Sequence, residues 1–159
     1  MDFKRIIEKL TKENKTISTM ESCTGGGVAN AITNIEGASE VLKFSAVTYS
    51  NEYKIKMGVD SKVIDKYSVY SIETAHEMAK NISKFSNSDY GVGITGKLNR
   101  VDKNNNYGED NEVFISIYKR NKNNFIDESI KVFKESRKEN KELVINKIIE
   151  LLEKELGVD

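Results

Sequence analysis

Proline and tryptophan are absent from this chain, and cysteine and histidine occur once each, as Cys23 and His76. A lone thiol cannot close an internal disulfide, and one Cys with one His is too sparse for a zinc cluster. No zinc cluster is therefore expected, and the cysteine usage points to a reducing, cytoplasmic setting. A dominant sign of charge is missing too: Lys+Arg and Asp+Glu both number 25, for a formal net charge of zero. That balance speaks against generic binding to nucleic acid or to an anionic membrane and leaves room only for a local basic patch. No apolar run approaches the ~20 residues that span a bilayer. The start, Met1-Asp2-Phe3-Lys4-Arg5, runs into a charged amphipathic segment instead of a signal-peptide apolar core. The lack of proline, together with abundant Asn and Lys, reads as a bias of the source genome.

What is present suits one domain over residues 1–159. A chain of this length can bury roughly 70% of the surface its unfolded form would expose, so it can fold without a staple. Phe3, Ile6, Ile7 and Leu10 recur at helical spacing and predict an opening amphipathic helix. Residues 16–20 read as a strand, 22–27 as a small-residue turn, and Val28, Ala29, Ile32 and Ile35 as the buried face of a helix. A second strand is expected over 44–49, a helix over 51–57, and a short helix over 63–67. Ser71 is a candidate N-cap, with Glu73 one position too early for a full capping box. Ala75, Met78, Ala79 and Ile82 then mark a helix face. Residues 89–95 read as a third strand and 97–111 as a long exposed loop. Residues 113–118 and 125–133 predict a hairpin. Val144, Ile148, Leu151 and Leu152 predict a closing helix that ends near Gly157. Strands and helices that alternate and then give way to a hairpin suggest an α/β fold, a three-layer α/β/α sandwich on a mixed, mostly parallel sheet.

In such sheets ligands bind beyond the carboxyl ends of the strands. Three strand ends here carry small or reactive residues: Glu21-Ser22-Cys23-Thr24-Gly25-Gly26-Gly27, then Tyr49-Ser50-Asn51 with Lys54 one helical turn on, then Thr95-Gly96. The first suits an anion such as phosphate, through close backbone approach, helix-start N–H groups and two hydroxyls. It also suits an ordinary strand-to-helix turn with a Ser/Thr cap. It is not a Walker A loop, because the Gly-Lys-Ser/Thr ending is missing. Ser22 with Lys54 is a possible nucleophile and base, provided burial or nearby cations lower the lysine pKa. Alternatively, Lys54 is a surface lysine and Tyr49 a half-buried aromatic at a strand end. Cys23 is a rival nucleophile at a helix start, or a packed and inert thiol. His76 reads as a surface helix residue with no route to Cys23.

These residues resemble a known family. Thr19-Met20-Glu21-Ser22-Cys23-Thr24-Gly25-Gly26 is similar to the T-A-E-S-C-T-G-G signature of the CinA C-terminal, or nicotinamide-nucleotide amidase, family. Gly37-Ala38-Ser39, Val47-Thr48-Tyr49-Ser50-Asn51 with Lys54, Gly58-Val59, and Ser71 to Ala79 match further motifs in the family's order. Thr95-Gly96 matches the start of its T-G-x-x-G-P loop, and Arg137 stands where the family has an arginine ahead of the last helix. The likeness runs over about residues 3 to 155. It implies a metal-free α/β/α hydrolase that converts nicotinamide mononucleotide to nicotinate mononucleotide and ammonia. Ser22 would then be the nucleophile, Lys54 its base and Tyr49 an aid to proton transfer or orientation. Thr95 and Gly96 would lie near the reacting group and Asn51 beside the ligand. Cys23, Thr24, Gly25, Gly26 and Arg137 would help hold the phosphate or the amide end. The partner implied is a small nucleotide, with no nucleic acid or membrane, and the protein is expected to be a homo-oligomer.

The chain departs from the family after Thr95-Gly96. The Gly/Pro loop and K-P-V-G lead-in are replaced by Lys97-Leu98-Asn99-Arg100 and a polar, Asn-rich run to Gly108. A second late arginine of the family stands as Lys141, which weakens any bidentate contact. An active amidase is one expectation. A catalytically impaired nucleotide- or protein-binding module is the alternative, and an amidase for another small amide is a third.

Overall fold

In a computed structural model of the chain, residues 1–100, 103 and 107–159 are described. Part of the expected 97–111 loop, residues 101, 102 and 104–106, lies outside them. The described elements are α1 (Lys4–Lys12), β1 (Ile17–Glu21), α2 (Gly27–Thr33), β2 (Leu42–Val47), α3 (Asn51–Lys56), α4 (Ser61–Tyr67) and α5 (Ile72–Ser86). These are followed by β3 (Tyr90–Gly96), β4 (Glu112–Lys119), β5 (Asn124–Lys131) and α6 (Arg137–Leu156). Among the described residues, no helix is long and apolar enough to cross a membrane.

The strands form one sheet in the order β2-β1-β3-β4-β5. β1 pairs in parallel with β2 and β3, while β4 runs antiparallel to both β3 and β5. Four strands therefore point one way and β4 opposes them, which makes the expected α/β sandwich on a mixed sheet. The chain leaves β1 for β2 on one side and returns to β3 on the other. That reversal puts the topological switch point, the usual ligand crevice, beyond the ends of β1 and β3.

Period-2 alternation splits the strand side chains between two cores. Ile17, Val92, Ile94, Ile115 and Ile117 face one layer, where Phe3, Ile6 and Leu10 of the α1 region meet Val28 and Ile32 of α2 and Val144, Ile148 and Leu152 of α6. Met20 faces the other layer with Val59, Met78 and Ile82. On that side α5 lies directly on β3. A Cβ on Gly91 would stand 2.1 Å from the Ala79 carbonyl oxygen, and one on Gly93 would stand 2.4 Å from that of Ala75. Only glycine permits this approach. It fixes the height of the α5 layer above the end of β3.

Several boundaries differ from the sequence expectation. β2 ends at Val47, two residues early, because Ser50 turns the chain into α3 by accepting from the Tyr53 N–H. α5 is capped by Ser71 as expected, with the Ser71 side chain accepting from Thr74 N–H. The closing helix, for which the apolar spacing set no start, begins at Arg137. Ser136 accepts from the Glu139 N–H at 3.1 Å and its hydroxyl donates to Glu139 Oε1 at 2.9 Å, a side-chain N-cap at a Ser136-x-x-Glu139 spacing. Arg137 is therefore the first residue of α6, not a residue ahead of it.

Candidate active site

The turn after β1 is organised by a side chain to which the sequence reading assigned no role. Glu21 is fully buried, and its Oε1 accepts from Thr24 Oγ1 at 2.6 Å and from Val28 N–H at 2.9 Å. Its Oε2 accepts from Ala29 N–H at 2.9 Å and from Thr19 Oγ1 at 3.4 Å. The protein's own carboxylate thus takes the partial positive charge at the start of α2. Thr24 is buried and committed to Glu21, and Thr24, Gly25 and Gly26 do not line the adjoining pocket. The anion expected on this turn would meet a carboxylate already in place.

Ser22 and Lys54 come together. Lys54 Nζ donates to Ser22 Oγ at 2.9 Å and to the Thr48 carbonyl oxygen at 2.7 Å. α3 carries Lys54 inward rather than leaving it on the surface: its residue is 2% exposed, and Ser22 is 8% exposed. Burial disfavours the ammonium form and brings the Lys54 pKa down from 10.5 to about 8. A lysine so tuned is a free amine in a useful fraction near neutral pH. Cys23 beside them is different. Burial pushes its thiol up to about 12, so it stays protonated and inert. His76 serves the fold elsewhere. Its Nε2 lies 2.5 Å from Asp127 Oδ2, Asp127 Oδ1 accepts from Ser116 Oγ at 2.9 Å, and the ring stacks on Phe125. This ties α5 to β5.

Ser22 and Lys54 open into a pocket of about 530 Å³ at the switch point. Cys23, Asn51, Thr95, Gly96, Tyr49 and Arg137 also line it. Thr95 holds the wall in shape by donating its hydroxyl to the Val69 carbonyl at 2.8 Å. Tyr49 is 64% exposed at the mouth, where its hydroxyl accepts from Arg137 Nη2 at 3.2 Å. Among the described residues, Tyr49 forms no hydrogen bond with Ser22 or Lys54. Lys141 reaches toward Gly25 and not into the pocket. No three His, Cys, Asp or Glu side chains among the described residues are placed to hold a metal ion.

The described wall carries four cationic side chains, Lys54, Lys97, Arg100 and Arg137, and no acidic one. Lys97 was not expected there. The residues after Gly96 read as exposed, yet Lys97 and Leu98 are buried. The β3–β4 pairing continues past Gly96, with Lys97 N–H donating to the Glu112 carbonyl at 3.0 Å. Buried Asn140 of α6 then anchors the Leu98 carbonyl at 3.3 Å.

Comparison with known proteins places this arrangement. The sequence pattern of the CinA C-terminal domain matches residues 3–156. A CinA-like protein of Endomicrobium trichonymphae is 48% identical over 88 residues, which cover 55% of this chain and 21% of that protein. A CinA-like protein of Kosmotoga olearia is 46% identical over 92 residues, covering 57% of this chain and 22% of that one. The chain thus spans less than a quarter of the length of these curated relatives. The crystal structure of the competence/damage inducible protein CihA from Agrobacterium tumefaciens superposes with a TM-score of 0.84 at 29% identity, over 96% of this chain and 92% of that one. The chain belongs to the CinA C-terminal domain family.

Proposed function

We propose that this chain hydrolyses the carboxamide of nicotinamide mononucleotide to nicotinate mononucleotide and ammonia. The observation that carries the reading is the 2.9 Å contact between Lys54 Nζ and Ser22 Oγ inside a pocket that has room for a mononucleotide. As a free amine, Lys54 accepts the Ser22 hydroxyl proton while Oγ attacks the carboxamide carbon. The carbonyl oxygen becomes a tetrahedral oxyanion. The N–H group of Cys23, which follows the nucleophile and lines the pocket, donates to no backbone carbonyl among the described residues and is its candidate donor. The Lys54 ammonium then gives its proton to the departing nitrogen, and ammonia leaves an ester on Ser22. Water, deprotonated by Lys54, cleaves that ester and restores the hydroxyl.

The test is ammonia release from nicotinamide mononucleotide by the folded protein and by Ser22→Ala. Turnover by the first and none by the second supports the reading. If nicotinamide mononucleotide raises the melting temperature while no ammonia appears, the chain is a nucleotide-binding module and the hydrolase reading fails.

A further inference from the structure

The geometry points to Lys97 as the residue that selects a phosphate-bearing substrate, a specificity contact that stands where this chain departs from the family's loop. The inference rests on the amidase reading for the identity of the substrate, but its physical basis is separate.

The substrate of that reading carries a neutral carboxamide, a cationic pyridinium and one anionic group, the phosphate. The carboxamide belongs at Ser22 and Lys54. The phosphate needs a cationic partner elsewhere, and the start of α2 is closed to it by the buried Glu21 carboxylate. A second anion against that carboxylate would meet like-charge repulsion in a poorly solvated place. The remaining cations on the wall are Lys97, Arg100 and Arg137.

These three are not equivalent. Arg100 is exposed and gives its guanidinium donors to the Asn99 and Glu135 carbonyls. Arg137 is exposed and donates to Tyr49 at the mouth. Lys97 has a side chain only 3% exposed, and its one carboxylate partner among the described residues, Asp110, stands 3.8 Å away and half in solvent. That separation is beyond hydrogen-bonding reach. The ammonium also lies 4.7 Å from the centre of the Tyr70 ring, which stabilises the cation without neutralising it. Its backbone is held by the Glu112 carbonyl at the end of the β3–β4 ladder. A lysine fixed in a pocket wall, with no carboxylate within hydrogen-bonding reach among the described residues, is a strong anchor for a dianion.

Lys97→Met keeps the side-chain length and removes the charge. Kinetics on nicotinamide mononucleotide and on its phosphate-free nucleoside, with calorimetric titration of ribose 5-phosphate, test the assignment. The variant should raise KM for the nucleotide roughly ten- to a hundredfold, with kcat held within about twofold, and leave the nucleoside unaffected. It should also weaken ribose 5-phosphate binding by a similar factor. Equal losses on nucleotide and nucleoside, no change on either, or no binding of ribose 5-phosphate by the unaltered protein would overturn the proposal. If Lys97→Met melts early, Lys97→Gln carries the same comparison. Lys97-dependent binding of ribose 5-phosphate without ammonia release would retain the anion site while sinking the amidase reading.

Discussion

The ends of β1 and β3 lie side by side, yet they treat charge in opposite ways. After β1 the chain supplies its own anion. Glu21 satisfies the start of α2 and the Thr24 hydroxyl, so that turn is electrostatically complete. After β3 it supplies a buried cation whose acidic partner among the described residues is distant, so the described wall is incomplete. The same contrast separates the two buried lysines. Lys54 is close to two oxygens and loses basicity by burial. Lys97 lines the same cavity with no oxygen partner nearer than Asp110 at 3.8 Å among the described side chains. A glycine-rich turn before a helix is therefore not by itself an anion site. What matters is which group has already claimed its donors.

The largest effect is expected at the closed side's neighbour, Lys54. Lys54→Met should reduce ammonia release on the order of a thousandfold, the scale on which a nucleophile's base is lost. Because it also removes a buried ammonium, the melting temperature at neutral pH should hold or rise. A large fall in melting temperature, with activity lost only in proportion to unfolding, would break the assignment.

Glu21→Gln sharpens the comparison directly. Leaving the helix start without its carboxylate should cost about 1–3 kcal/mol in denaturant unfolding. Inorganic phosphate should then stabilise the variant more than the parent, since the turn is newly open to an outside anion. Equal phosphate effects on the two proteins would mean that Glu21 does not compete for that place.

The pH profile follows from Lys54. The free amine is the active form, so kcat/KM should rise with pH and level off above about 8. Stability moves in the same direction for this group. An unfolded lysine holds its proton to about 10.5 while the folded one releases it near 8, so the unfolded chain binds more protons between those values. The contribution of Lys54 to stability therefore rises with pH across that window. A profile that falls through pH 8 would contradict the role of the amine.

The smallest effect is expected at Cys23. Cys23→Ser should leave kcat within about threefold, and thiol alkylation of the native protein should be slow, because the thiol is buried and protonated. Rapid inactivation by an alkylating reagent would restore it as a rival nucleophile.

Much of this was legible in the chain. Ile6, Ile7 and Leu10 announce α1 by spacing alone, and the small residues at the ends of β1 and β3 announce a crevice, because both signals are local. The pairing of Ser22 with Lys54 was one of two readings that the strand ends left open, and the resemblance favoured it. Lys97 was hidden among polar neighbours whose composition reads as exposed loop. Its burial comes from a ladder bond to Glu112 and from Asn140, both distant in sequence. Arg137 opens α6 instead of preceding it, because Ser136 caps a first helical turn that lacks the apolar residues marking the rest of that helix.

By itself, then, the sequence determined the order of helices and strands, the lack of any disulfide framework, and the reactive residues offered at three strand ends. Those are matters of periodicity and residue type, which act over a few positions. The tertiary structure alone decided that Glu21 would close one turn, that Lys54 would lose water and basicity beside Ser22, and that Lys97 would face the cavity. Each of those depends on which groups desolvate one another across the sheet, and pairing between distant segments is not written in any short window of the chain.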